Sequence, residues 1–75
     1  MNLAEVGKGK IVHIVVIEAP IGLKKRLGSL GMSVGKEVEV LEMTLQKNTI
    51  KLGIGLGSVA LRLDEAQYIH VAVIV

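Results

Sequence analysis

The segment Leu23-Lys24-Lys25-Arg26-Leu27-Gly28-Ser29-Leu30-Gly31 decides the fold, because it is the one sizeable stretch with helical period. Leu23, Leu27 and Leu30 recur at i, i+4 and i+7, which is one apolar stripe of an α-helix. Gly31 stands where a glycine in the left-handed region closes such a helix. Lys24, Lys25 and Arg26 lie beside the stripe. The sequence therefore predicts one short helix over about residues 23–30.

Outward from this segment the period falls to two. Upstream, Lys10 to Ile17 is rich in β-branched residues and reads as a strand. Val12, Ile14 and Val16 share one face; Ile11, His13, Val15 and Ile17 share the other, and both read as covered. Ala19-Pro20-Ile21-Gly22 breaks this strand before the helix. Near the start, Asn2 is placed to cap a helical turn through Leu3-Ala4-Glu5-Val6. Downstream, Met32-Ser33-Val34-Gly35 is a turn, and Glu37-Val38-Glu39-Val40 alternates as a half-buried strand does. The alternation changes phase at Leu41-Glu42-Met43, which predicts a bulge or sharp bend. After a turn at Gln46-Lys47-Asn48, Ile50, Leu52, Ile54 and Leu56 resume the alternation. Gly57-Ser58 reads as a tight connection into a short strand, Val59 to Leu63. Asp64 and Gln67 have the spacing of a capping box, giving a helical turn near residues 64–68. Ile69 to Val75 reads as the last strand. Short strands separated by turns, with one helix, predict a mostly-β fold: a small antiparallel barrel in a single domain, residues 1–75.

Composition narrows the function classes. The chain has 75 residues, no Cys, Trp or Phe, and one Tyr. Disulfides and cysteine zinc sites are excluded. The missing aromatics remove the stacking platforms that single-stranded nucleic-acid binders use. Nine basic against seven acidic residues give a net charge of only +2, a weak footprint for a duplex-binding surface. Mean hydropathy is +0.58, which argues against disorder. The longest aliphatic run, Val71 to Val75, falls far short of the roughly 20 residues that cross a bilayer. No signal-peptide pattern opens the chain, so a cytoplasmic location is expected.

No catalytic set is visible, and the sequence does not read as an enzyme. Ser29, Ser33 and Ser58 have no neighbouring His, and the acidic residues are scattered. His13 and His70 lie in the first and last strands. Two imidazoles alone leave a divalent ion mostly water-ligated, so no intrinsic metal site and no cofactor are expected. Gly53-Ile54-Gly55-Leu56-Gly57 has the wrong spacing for a nucleotide loop and opens no helix. Arg62 is the unusual cation: it sits in the aliphatic run Ala60-Leu61-Arg62-Leu63, where it needs a partner such as Glu37, Glu39 or Asp64, or an external one.

Taken together, Leu3-Ala4-Glu5-Val6, the run Arg26 to Gly35, Val38-Glu39-Val40 and the run Ala60 to Ala66 resemble the ferrous iron transport protein A (FeoA) family. The most specific part is the ordered pair of R-L-x-x-L-G-x-x-x-G at Arg26 to Gly35 and A-L-R-x-x-E-A at Ala60 to Ala66. The segment Leu45-Gln46-Lys47-Asn48-Thr49 lacks the Pro common in the family. The resemblance implies an SH3-like barrel with an accessory role in ferrous iron uptake. The implied partner is a membrane ferrous iron permease that carries a G-protein domain. Family-level transition-metal association is a further implication, and the apolar surface of the chain also admits a homo-oligomer. A similar module ends iron-dependent repressors, so the alternative is a DNA-associated or repressor-type module using Lys24-Lys25-Arg26; no nucleic acid is expected on the first reading. The excess of apolar surface for so small a core favours a protein-binding module. Its expected contact residues are Leu23, Lys24, Lys25 and Arg26, with Arg62 as a second contact.

Overall fold

The computed structural model describes residues 1–75. A 3-10 turn, Leu3–Glu5, is followed by β1 (Ile11–Ile17), α1 (Ile21–Ser29), β2 (Glu37–Thr44), β3 (Thr49–Ile54), β4 (Gly57–Arg62), α2 (Leu63–Ala66) and β5 (Ile69–Val73). The strands form one antiparallel sheet in the order β4-β3-β2-β1-β5. The mostly-β expectation holds, with one difference. β4 and β5 do not pair, so the sheet is strongly curved but open. The four residues of α2 span the gap between them.

Fifteen residues are buried and all are apolar. Each strand delivers alternate side chains to this core: Val12 and Ile14 from β1, Val38 and Val40 from β2, Ile50 and Leu52 from β3, Leu61 from β4, Ile69 and Val71 from β5. Leu3, Leu27, Met32 and Ala66 close it from the helical side. With no aromatic ring in the core, many small contacts do what two or three large side chains do elsewhere.

Two register shifts bend the sheet around this core. One in β2, between Val40 and Glu42, lies where the alternation changes phase. The other, in β1 between Ile14 and Val16, corrects the sequence reading. Strict alternation put Ile17 opposite Val12 and Ile14, yet all three are buried while Val15 and Val16 are exposed. A bulge inserts one residue and so moves Ile17 onto the core face. β1 therefore has one covered face, and its surplus valines meet solvent.

The helix begins two residues earlier than its apolar stripe, at Ile21, with Pro20 as N-cap. Its end is as predicted. Gly31 has φ +88°, and the amides of Met32 and Gly31 donate to the carbonyls of Leu27 and Gly28 at 2.9 and 3.0 Å, a complete Schellman closure. Only Leu27 of the stripe is fully buried; Leu23 and Leu30 are half-buried against the core's edge. The β3–β4 connection also moves. It is a two-residue turn at Gly55-Leu56, with Gly55 at φ +58°, and Gly57-Ser58 already belong to β4. Leu56 is consequently at the turn's tip and fully exposed. Leu52, wholly buried in the central part of β3, tests the core directly. Leu52→Ala is expected to cost about 2–5 kcal/mol in urea unfolding, a large share of the ~4–11 kcal/mol typical for a chain of this length.

Candidate functional site

The five residues expected to contact a partner do not form one patch. Lys24 and Arg26 are two residues apart on α1, about 200° around its axis, and so leave the helix on opposite flanks. On the first flank, Lys24 borders a groove of about 280 Å³ between α1 and β1. Val16, Ile17, Met32 and Val34 line it. The β1 bulge is what turns Val16 toward this groove instead of the core. Val34 is 65% exposed and is held beside it by the Met32 to Gly35 turn. Lys25 is exposed next to Lys24, and Leu23 is half-buried.

The second flank is an ion-pair cluster on α2. Arg26 grips the Glu65 carboxylate with both ends of its guanidinium fork, Nη2 to Oε1 at 2.9 Å and Nη1 to Oε2 at 2.8 Å. Oε1 also accepts the backbone N–H of Arg62 at 3.1 Å. That bond caps α2. The N-cap is thus Arg62, two residues before the Asp64 that sequence spacing suggested, and Arg62 has no side-chain acceptor to complete a box. The same substitution of roles occurs at the start of the chain, where the Glu5 carboxylate accepts the Asn2 amide at 2.9 Å and Asn2 Oδ1 is buried without a partner. Of the partners open to Arg62, Asp64 is the one it meets, at 3.3 Å, and the Asn48 side-chain amide donates to the same carboxylate oxygen at 3.1 Å. Glu37 and Glu39 lie on the outward face of β2 and pair with neither arginine.

The electrostatics follow from this geometry. The hydrogen bond from Arg26 lowers the Glu65 carboxyl below the ordinary carboxylate range; desolvation opposes it, and the Arg62 amide and the Arg26 charge reinforce it. Arg26 is raised in turn, first by that hydrogen bond and then by the Glu65 charge. At Asp64 desolvation pushes upward, but bonds from Asn48, its own backbone and Arg62 outweigh it and leave the group lowered. Glu65 was not singled out in the sequence. Its signal was there in the A-L-R-x-x-E-A run, but nothing in a linear pattern says that Arg26, 39 positions away, would meet it.

The histidines come to adjacent strands on the sheet's outer face without converging. His13 lies opposite Glu37 and Ala72, His70 opposite Val16, and His70 Nε2 is 3.1 Å from Glu18 Oε1. No three His, Asp or Glu side chains gather in a geometry able to hold a metal ion.

The fold is a curved antiparallel sheet with a helix inserted after its first strand and an apolar groove beside that helix. The FeoA domain model matches residues 1–73, and the chain belongs to the FeoA family. It is 39% identical over 70 residues to an Fe(2+) transport protein A of Helicobacter pylori, covering 92% of each chain. The FeoA protein from Chlorobium tepidum superimposes with a TM-score of 0.91 at 24% identity, over 100% of this chain and 71% of that one. A manganese-dependent transcriptional repressor superimposes at 0.92 and 24% identity, over 99% of this chain and 36% of the repressor. At that identity the last two likenesses speak to the fold, which is the SH3-like one of FeoA proteins.

Glu65→Gln provides a pH test with a definite sign. A carboxyl lowered on folding contributes stability that is present above its unfolded value, near 4.3, and lost as pH falls through the folded value. Urea unfolding is expected to show the parent more stable than Glu65→Gln at pH 7. The gap is expected to narrow steadily below about pH 4.3 and to vanish in strong acid. A gap independent of pH would mean that the ion pair contributes nothing.

Proposed function

We propose that this FeoA-family chain is a non-enzymatic, cytoplasmic accessory protein of ferrous iron uptake. It acts as a single domain over residues 1–75 by contacting the cytosolic, G-protein-bearing part of a membrane ferrous iron permease. Family membership and the relatives named as Fe(2+) transport proteins support the iron-uptake role. The observation that carries the contact is the α1–β1 groove, apolar within and bordered by Lys24. Exposed aliphatics beside exposed cations combine an anchor with a steering charge. Val16, Val34 and the uncovered part of Leu23 supply the anchor; Lys24 and Lys25 supply the charge. Arg26 and Arg62, on the other flank, keep guanidinium surface exposed although each is paired, and form the second contact. No helix of the chain is long and apolar enough to cross a membrane, which suits a peripheral partner.

The split between flanks chooses the variant. Arg26→Glu sets a second carboxylate against Glu65 and mixes stability with binding, so the test uses Lys24→Glu with Lys25→Glu. Surface changes of this kind shift stability by about 0.5 kcal/mol or less. Capture of the permease's cytosolic domain is expected to weaken at least tenfold, and the parent's binding is expected to weaken with added salt. Undiminished capture by the double variant would move the contact off this flank. Salt-dependent binding of duplex DNA by the parent would support the repressor-type reading instead.

A further inference from the structure

The sheet has two edges, and they are treated differently. The edge of β5 is occupied: the Val71 amide donates to the Met1 carbonyl at 3.0 Å, and Asn2 bridges to His70. The edge of β4 is bare. The two-residue turn makes Ile54 and Gly57 the closing pair of the β3–β4 ladder. Alternation then aims the backbone groups of Gly57, Val59 and Leu61 at β3, and those of Ser58, Ala60 and Arg62 away from it. The neighbouring bonds agree with this phase. The Arg62 amide turns outward to Glu65 at 3.1 Å, and the Leu63 amide turns inward to the Asn48 carbonyl at 3.0 Å. The amides and carbonyls of Ser58 and Ala60 thus face away from β3 and take part in none of the turn, loop or cap bonds, and both residues are exposed.

An open edge is a template for another strand, and proteins commonly guard it with Pro, an edge lysine or a bulge. Gly57 to Leu61 contains none of these; its side chains at 57, 58 and 60 are small, and its ladder to β3 runs without a register shift. The charge around the edge says what kind of strand fits. On the outward face, Lys51 lies directly opposite Ala60, and Arg62 follows two positions on. β4 itself has no acidic residue. Glu42 lies on the far side of Lys51, one strand deeper, and Asp64 is held by Asn48 and Arg62. A residue paired with Ala60 on an added strand is two strand spacings from Lys51, about 10 Å. A Lys and a Glu side chain together span that distance, and the methyl group of Ala60 between them is too short to block the pair. A second copy of β4 would bring another arginine and no carboxylate.

We propose that the β4 edge is a strand-addition site, separate from the α1 groove, that takes an extended peptide segment of another protein with acidic side chains at alternate positions. Main-chain bonds to Ser58 and Ala60 supply the docking, and Lys51 selects the charge.

The probes are two blocked octapeptides, Thr-Val-Glu-Val-Glu-Val-Glu-Thr and its counterpart with Lys for Glu, titrated into the 15N-labelled chain. The acidic peptide is expected to shift the Ser58 and Ala60 amides most and to slow their hydrogen exchange. It is expected to bind at least tenfold more tightly than the basic one. Ala60→Pro deletes one outward donor at a position where an edge strand tolerates proline, and is expected to lose at least tenfold in affinity with the spectrum otherwise preserved. Lys51→Glu, which leaves the backbone alone, is expected to reverse the preference between peptides, and it tests the charge selection even where Ala60→Pro disturbs the fold. Shifts centred on Val16 and Val34, equal binding of the two peptides, no binding at millimolar peptide, or protection of Ser58 and Ala60 by self-association alone would each overturn the proposal.

Discussion

A core without aromatic side chains imposes the geometry of this molecule. Without Phe or Trp, no single side chain reaches across the interior, so the backbone must come to the core from several sides. The five strands do so by bending, and they bend at the two register shifts in β1 and β2. Each shift has a second consequence. In β1 the inserted residue turns Ile17 inward and leaves Val15 and Val16 outside. The apolar wall of the α1 groove is therefore a by-product of closing the core.

One carboxylate links the elements on the helical side. Glu65 accepts from the Arg26 fork and from the Arg62 amide, so it joins α1, α2 and the end of β4 at one point. A residue with three donors on two oxygens is a junction, and it constrains the direction in which α1 lies over the sheet. It also ties Arg26 to α2, although about half of its side chain stays exposed. Three consecutive basic residues read as one patch along the chain; around a helix they are two populations, Lys24 and Lys25 facing solvent and Arg26 facing α2.

The surface carries two kinds of opportunity for contact. The α1 groove offers shape and apolar area, which suits a folded partner surface. The β4 edge offers unpaired backbone, which suits an extended one.

Much of this was legible in the residues themselves. The helix α1, its Gly31 closure, the β2 bulge and the turn at Gln46 to Asn48 all depend on neighbours within a few positions, and local pattern reports local interactions. The bulge in β1 was hidden because Ile11 to Ile17 is apolar at almost every position, so alternation carried no phase information. The Gly55-Leu56 turn was misplaced by two residues because a run of alternating glycines offers several equivalent turns. The open sheet, the division of the basic run between two flanks and the link from Arg26 to Glu65 were decided only in three dimensions. Each depends on where distant segments meet, and a one-dimensional pattern holds no record of that.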